Sequence, residues 1–170
     1  MAAQDGAEAV VRTATARDGE AVARIYNHYV TETIVTFEEE PVSPREMSRR
    51  IEEVASASLP WLVAERDAVV VGYAYATPWR RRRAYRFSAE VTVYVAADQA
   101  GRGFGSRLYS QLLPVLRDRE IHAAMGGIAL PNDASVALHE KFGFRKVAHF
   151  DQAGFKFNRW IDVGYWQRIL

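Results

Sequence analysis

Glu90 heads an alternating stretch, Val91-Thr-Val-Tyr-Val95, that leads through Ala100-Gly-Arg-Gly-Phe-Gly105 into an amphipathic segment. A carboxylate among mostly apolar neighbours (Phe87, Val91, Val93) is shifted toward its protonated form. Its pKa then moves toward neutrality, which suits it to accept a proton, unless it merely pairs with an arginine of the segment from Arg80 to Arg86. Glycines without Cβ let several backbone N–H groups turn into one hollow, and a helix starting there adds unpaired N–H groups and the positive end of its dipole. Such a hollow holds phosphate or pyrophosphate. The expected chemistry is proton removal beside a phosphate-bearing ligand gripped by main chain. The spacing narrows that ligand. A nucleoside-triphosphate loop needs Gly-Lys-Ser/Thr, and no Lys follows these glycines. Gly-x-Gly-x-Gly also differs from the dinucleotide fingerprint, and Glu120 precedes the next apolar run instead of ending it. Three glycines alone fit a plain tight turn. The strand before them and the helix after them favour the anion site.

The segment Ala100–Gly105 resembles the acetyl-CoA pyrophosphate loop of the GNAT superfamily of N-acetyltransferases, Arg/Gln-x-x-Gly-x-Gly/Ala, with Ala100 standing where Arg or Gln is usual. Asn132-Asp-Ala-Ser-Val-Ala-Leu-His-Glu-Lys-Phe-Gly-Phe144 resembles the second conserved helix of that superfamily. Three further pieces resemble, more narrowly, the phosphinothricin and methionine sulfoximine N-acetyltransferases. They are Thr36-Phe37-Glu38, Pro78-Trp-Arg-Arg-Arg-Arg-Ala-Tyr-Arg-Phe-Ser-Ala-Glu90 and Gly154-Phe-Lys-Phe-Asn-Arg-Trp-Ile-Asp162. The resemblance runs in order from about Val10 onward.

It implies acetyl-CoA as co-substrate and the α-amine of a small amino acid analogue as acceptor. Such an amine has a pKa of about 7.7–8.0 and is mostly charged at neutral pH, so a base is needed, and the resemblance matches Glu90 to it. Backbone groups of Val93 and Val95 are expected to meet pantetheine, and the N–H groups of Gly101, Arg102, Gly103, Phe104, Gly105 and Ser106 the pyrophosphate. The side chain of Arg102 or Arg107 is a further phosphate partner, or ordinary surface charge. Asn132 and Ser135 have helix-start spacing, and the resemblance adds a cofactor contact for Asn132. His139 stands where many GNAT enzymes have Tyr. It is expected to protonate the departing thiolate or hold the pantetheine arm, with a packed helix histidine as the alternative. Arg80 and Arg82 are implied as forks for the substrate carboxylate, with Tyr85 and Phe37 lining the same pocket. Lys156 either meets the far end of the substrate or lies on the surface. With no cysteine and no recognisable activated serine, direct transfer is expected. Other classes stay open: acetylation of another small amine or a peptide N-terminus, a non-catalytic acyl-CoA-binding module, or RNA binding by the basic loop.

The elements that must position these residues follow from pattern. The chain has 170 residues, 49% of them hydrophobic, enough for one globular domain with a real core. No apolar run is long enough for a membrane span. Residues 1–9 are expected to form a loose tail, without the blocks of a secretion signal, and residues 10–170 one domain. Lys plus Arg total 22 against 21 Asp plus Glu, so no basic excess draws in nucleic acid. The absence of cysteine fits a cytoplasmic enzyme. No metal site is expected, because His28, His122, His139 and His149 show no ligand-like spacing with carboxylates. The family resemblance implies a homodimer, to which Trp160, Tyr165 and Trp166 contribute unless they are core.

Thr15-x-x-Asp18 and Ser43-Pro44-x-Glu46 read as helix starts, the first followed by a stripe of Val22, Ile25, Tyr26 and Tyr29. Strands are expected at Trp61–Glu65, Val69–Ala76, Phe87–Val95 and about Ala123–Leu130. A helix is expected from Phe104 to Arg119, another from Asn132 to Phe142, and two strands close the chain. The expected fold class is α/β, and the resemblance implies a mostly antiparallel mixed sheet flanked by helices in the manner of the GNAT acyltransferases. Two local conflicts stand out. Pro114 inside the third helix costs roughly 3 kcal/mol unless the helix adapts, and Gly126-Gly127 marks a bulge or a close backbone approach.

Overall fold

The computed structural model describes residues 9–170; the expected tail before Ala9 lies outside them. Strands β1 (Val10–Thr13), β2 (Trp61–Arg66), β3 (Val69–Pro78), β4 (Ser88–Val95), β5 (Ala123–Ala129), β6 (Arg145–Lys156) and β7 (Arg159–Ile169) form one sheet in the order β1-β2-β3-β4-β5-β7-β6. Every neighbouring pair is antiparallel except β4 with β5. Two-residue turns close the hairpins. Asp67 and Ala68 join β2 to β3 and Phe157 and Asn158 join β6 to β7, all with positive φ, which matches the right-handed strand twist.

Helices α1 (Gly19–Glu32), α2 (Pro44–Ser56), α3 (Phe104–Asp118) and α4 (Asp133–Lys141) cover the two faces. Successive strand residues point to opposite faces. Tyr73 and its cross-strand partner Tyr94 pack toward Tyr26 of α1, whereas a Cβ at Gly72 would meet Leu108 of α3. The two buried layers therefore differ in character. Tyr26, Trp61, Tyr73 and Tyr94 fill one side, and Leu108, Leu112 and Leu116, four apart on α3, fill the other. No helix among the described residues is long and apolar enough to cross a membrane.

The helix starts match the sequence. A 3₁₀ turn at Ala16–Asp18 precedes α1, with the Thr15 N–H donating to Asp18 at 2.8 Å, and Ser43 Oγ accepts from the Glu46 N–H at 3.1 Å. Pro114 does lie inside α3. The carbonyl that loses its partner belongs to Ser110, which is exposed together with Pro114, so water can serve it. The glycine pair of β5 makes no bulge: Gly126 pairs with Trp166 and Gly127 with Tyr165 in unbroken register. Close approach is the reason for both. A Cβ on Gly126 would lie 2.4 Å from His139 Nε2, and one on Gly127 3.1 Å from Glu90 Oε1.

Candidate active site

The site begins where two parallel strands part. β4 and β5 pair only through Ser88↔Ala123, Ala89↔Ala124 and Glu90↔Met125, although β4 continues to Val95 and β5 to Ala129. Beyond Glu90 each strand keeps its outer neighbour, β3 or β7, and a wedge opens between them. The Ala96 N–H donates to Val71 of β3, so by antiparallel alternation Val93 and Val95 turn their N–H and C=O groups into the wedge. One of these groups is already taken. The Tyr29 hydroxyl donates to the Val95 carbonyl, which leaves the Val95 N–H for a ligand.

Toward the glycine loop the wedge widens into a cleft of about 490 Å³, lined by Val93, Val95, Gly101, Gly103, Phe104, Gly105, Ser106, Asn132, Ser135, Leu138 and Lys141. Gly103 has φ +84°, a left-handed conformation that L side chains rarely adopt, and stands at the N-cap of α3. The first intrahelical bond runs from Arg107 N–H to Gly103 O at 3.0 Å, so the N–H groups of Phe104, Gly105 and Ser106 face outward without helical partners. Lys141, not anticipated from sequence, donates to Ser106 Oγ at 2.9 Å and adds an ammonium at the helix start. Its signal was helical spacing, since Ala134, Leu138 and Lys141 share one face of α4. Arg102 is not part of this cleft: it lines a separate hollow with Arg24, Val70 and Asp98. Arg107 reaches the Ala9 carbonyl instead.

Asn132 caps α4, its Oδ1 accepting from the Ser135 N–H at 3.1 Å, and both residues also wall the cleft. His139 requires a correction. It is 3% exposed, its Nδ1 donates to the Ser135 carbonyl at 2.8 Å, and its Nε2 accepts from the Tyr109 hydroxyl at 3.0 Å. Burial pushes its pKa down, the bond to Ser135 opposing. A neutral imidazole with both nitrogens engaged has no proton to give a thiolate. It fixes α4 against Tyr109, Phe144 and Gly126.

On the opposite side of the wedge, burial pushes the Glu90 carboxyl above its ordinary range, and the positive charge of Arg80 opposes the shift. Gly127 separates Glu90 from the Tyr165 ring: a Cβ there would meet both at 3.1 Å. Tyr165 also packs edge-on against Trp79, over which the Arg80 guanidinium lies at 4.8 Å. No ion pair engages Arg80 or Arg82 among the described residues. Arg82 and Tyr85 stand exposed, at the start and end of a short 3₁₀ segment. Phe37 rests on Gly154 of β6, where a Cβ would come within 2.3 Å of its ring. Lys156 is neither a surface residue nor free to meet a substrate. It is 2% exposed and donates to the Thr36 carbonyl at 2.8 Å, tying the β6–β7 hairpin to the α1–α2 loop. Away from the wedge, His149, Asp151 and Asp162 bring ligand-type atoms within 4.8 Å of one another, a grouping that linear spacing hides because Asp162 lies on the facing strand. These groups satisfy each other: His149 bonds Asp162 at 2.8 Å, Asp162 also accepts from the Gln152 N–H, and the Lys146 ammonium sits 3.0 Å from His149 Nδ1.

Comparison with known proteins accounts for this arrangement. The Acetyltransferase (GNAT) domain family matches residues 11–164. The phosphinothricin N-acetyltransferase of Streptomyces viridochromogenes is 43% identical over 158 residues, 93% of this chain and 86% of that protein. The L-methionine sulfoximine/L-methionine sulfone acetyltransferase of Salmonella typhimurium is 34% identical over 94% of each chain. Among solved structures, a GNAT superfamily phosphinothricin acetyltransferase from Sinorhizobium meliloti in complex with AcCoA superposes with a TM-score of 0.92 at 34% identity, over 95% of this chain and 88% of that one. A parted β4–β5 pair, a glycine loop opening a helix at its wide end and a carboxylate at its apex thus have one common explanation: the chain belongs to the GNAT family of acetyltransferases.

Proposed function

We propose that this N-acetyltransferase uses acetyl-CoA to acetylate the α-amine of a small amino acid analogue of the phosphinothricin or methionine sulfoximine type, within a single catalytic domain spanning residues 10–170. The observation that carries the reading is the wedge itself, which has a partly buried carboxylate at its apex and an anion hollow at its mouth. The residues fit the co-substrate. Unpaired N–H groups of Phe104, Gly105 and Ser106, with the Lys141 ammonium, suit a pyrophosphate. The free main-chain groups of Val93 and the Val95 N–H suit the amides of the pantetheine arm, which would lie along β4 like an added strand. Gly101, Asn132 and Ser135 complete the walls. When bound, the coenzyme supplies an acetyl group activated as a thioester. Glu90 takes one proton from the acceptor's ammonium, the freed nitrogen forms a bond to the acetyl carbon as the carbon–sulfur bond breaks, and the second proton that this nitrogen loses passes to the departing thiolate, which leaves as the free thiol. Arg80, free of ion pairs, holds the acceptor carboxylate, with Arg82 as a second fork, and Phe37, Tyr85 and Tyr165 shape the pocket. The same reading includes resistance to such analogues as the physiological outcome, a cytoplasmic location, a homodimer joined through the β6–β7 hairpin, and no nucleic-acid or membrane partner.

The test is Glu90→Gln, with acetyl-CoA consumption and coenzyme affinity measured side by side. The expected outcome is a fall of about 10²–10⁴ in kcat with unchanged affinity for acetyl-CoA. Full activity in the variant, or no acetylation across amino acids and their phosphinate and sulfoximine analogues, defeats the assignment.

A further inference from the structure

A cavity of about 270 Å³ lies under α2, apart from the coenzyme cleft, and Met47, Arg50, Glu53, Trp61, Tyr75 and Thr77 are among its walls. Thr77 is the cross-strand neighbour of Glu90, and Tyr75 lies two residues further on the same face. One step across the sheet and one along it, about 5 Å and about 7 Å, therefore lead from the proton acceptor to these walls. Much of the lining is aromatic. Trp61 and Tyr75 stack with ring centroids 4.0 Å apart, and Tyr73 lies 5.6 Å from Trp61. Two charged residues also line the cavity. Glu53 is paired with Arg49. The Arg50 guanidinium donates from Nε to Glu46 at 3.1 Å and from Nη2 to Glu38 at 2.7 Å. Those two nitrogens form one edge of the planar group, so the carboxylates hold it by that edge. Nη1 is left on the other side, with no hydrogen-bond partner among the described residues. The Arg50 side chain is 32% exposed, so a ligand can reach it. Burial raises the pKa of the Tyr75 phenol; the charge of Arg50 opposes the rise and that of Glu90 adds to it. Tyr75 thus stands within electrostatic reach of both the base and the guanidinium.

Resting on the function proposed above, we infer that Arg50 determines which side chain the acceptor carries: its Nη1 donates to an oxygen at the tail, so that a sulfone, sulfoximine or phosphinate is chosen over a bare thioether. With the α-amine at Glu90 and the α-carboxylate on Arg80, the side chain of the acceptor runs toward Thr77 and Tyr75. Its methylenes pack on the aromatic wall, and the oxygens of its head group meet the guanidinium. Glu38 and Glu46 already fix that guanidinium, so the contact costs little ordering of the arginine. A thioether sulfur is only a weak acceptor. It leaves the Nη1 donors to give up water without a replacement, and an unmade bond to a charged group is costly.

The experiment measures kcat/KM for methionine sulfone and for methionine, which differ only in the oxygens on sulfur, with the native enzyme, Arg50→Met and Glu38→Gln, both substrates on one preparation. The native enzyme is expected to favour the sulfone by about tenfold or more, the weight of a hydrogen bond to a charged group. Arg50→Met is expected to bring the ratio close to one. Glu38→Gln opens the same ion pair but leaves Nη1 in the cavity, with Glu46 still holding the guanidinium, and is expected to keep the preference. Should Arg50→Met fail to fold, Arg50→Met/Glu38→Met, which leaves no carboxylate stranded on Glu38, takes its place. A native ratio near one, a preference that survives the loss of Arg50, or an equal loss of preference in Glu38→Gln overturns the inference and leaves the acetyltransferase assignment intact. Acetylation of neither substrate, with acetyl-CoA still bound, also overturns it, and phosphinothricin and methionine sulfoximine run alongside show whether the acceptor assignment goes with it.

Discussion

At the scale of single residues, two titrating groups give separable pH signatures, one in activity and one in stability. Glu90 works as a base only when ionised, so kcat/KM rises with pH through a pKa that burial has lifted and Arg80 partly restores. Arg80→Gln removes the opposing charge. It is expected to carry this rising limb to higher pH as well as to raise KM for the acceptor, whereas Glu90→Gln leaves only the limb of the acceptor's own amine. A pH–rate profile in which Arg80→Gln leaves the limb in place would contradict the electrostatic link. His139 acts on stability instead. Its pKa is depressed in the fold, so above the ordinary value of about 6.5 folded and unfolded chains are both neutral there. As pH falls below that value the unfolded chain takes a proton that the folded one refuses, and stability declines until the folded pKa is reached. Asp18, held down by Arg12, and Asp162, held down by the Gln152 N–H and His149, lose their contributions only in the more acidic carboxylate range. Thermal melts from pH 7 to 5 should therefore fall more steeply for the native protein than for His139→Gln. Parallel curves would show that the buried imidazole is not the group responsible.

At the scale of elements, the two adjacent glycines of β5 serve different faces of the sheet, and their substitutions are expected to fail in different ways. Gly126→Ala would drive a methyl against an imidazole fixed by two hydrogen bonds, 2.4 Å away, and overpacking of this kind costs about 1–3 kcal/mol. Gly127→Ala presses at 3.1 Å on the Glu90 carboxylate and the Tyr165 ring, which can give by a few tenths of an ångström. The melting temperature should change little while kcat falls by about tenfold or more, because small misplacements of a catalytic group are costly. Urea melts and turnover numbers on both variants check this; equal behaviour would refute the division between faces. The sequence already marked this pair as an interruption, and it carried the glycine loop, the Ser43 cap and Glu90 in legible form, because those depend on local backbone chemistry and short spacing. It did not carry Tyr29 on the Val95 carbonyl or Tyr165 beside Gly127. Those contacts join residues far apart in the chain, and only the completed sheet brings them together. For His139 the sequence left the acid, pantetheine and packed-histidine readings side by side for a related reason: its position on α4 was plain, but the Tyr109 hydroxyl that occupies Nε2 comes from another helix.

At the scale of the whole molecule, the aromatic residues near the end of the chain divide in a way their composition did not reveal. Trp166 is buried, at 3% exposure, and serves the core. Phe150, Phe155, Phe157 and Trp160 are half exposed or more, on the hairpin that ends the sheet, and β6 has no strand partner on its outer edge among the described residues. Phe155 and Trp160 face each other across the hairpin, with ring centroids 4.9 Å apart. An apolar patch on an open sheet edge favours association, and in a two-fold assembly each copy would present the same patch to the other. Trp160, 62% exposed, is the residue whose removal should cost this contact most while costing the fold least. Sedimentation at micromolar concentration is expected to show a dimer for the native chain and a monomer for Phe155→Glu/Trp160→Glu. Acetyl-CoA affinity should stay unchanged in the double variant, because neither Phe155 nor Trp160 lines that cleft. A native monomer at those concentrations, or a double variant that remains dimeric, would place the contact elsewhere or abolish it.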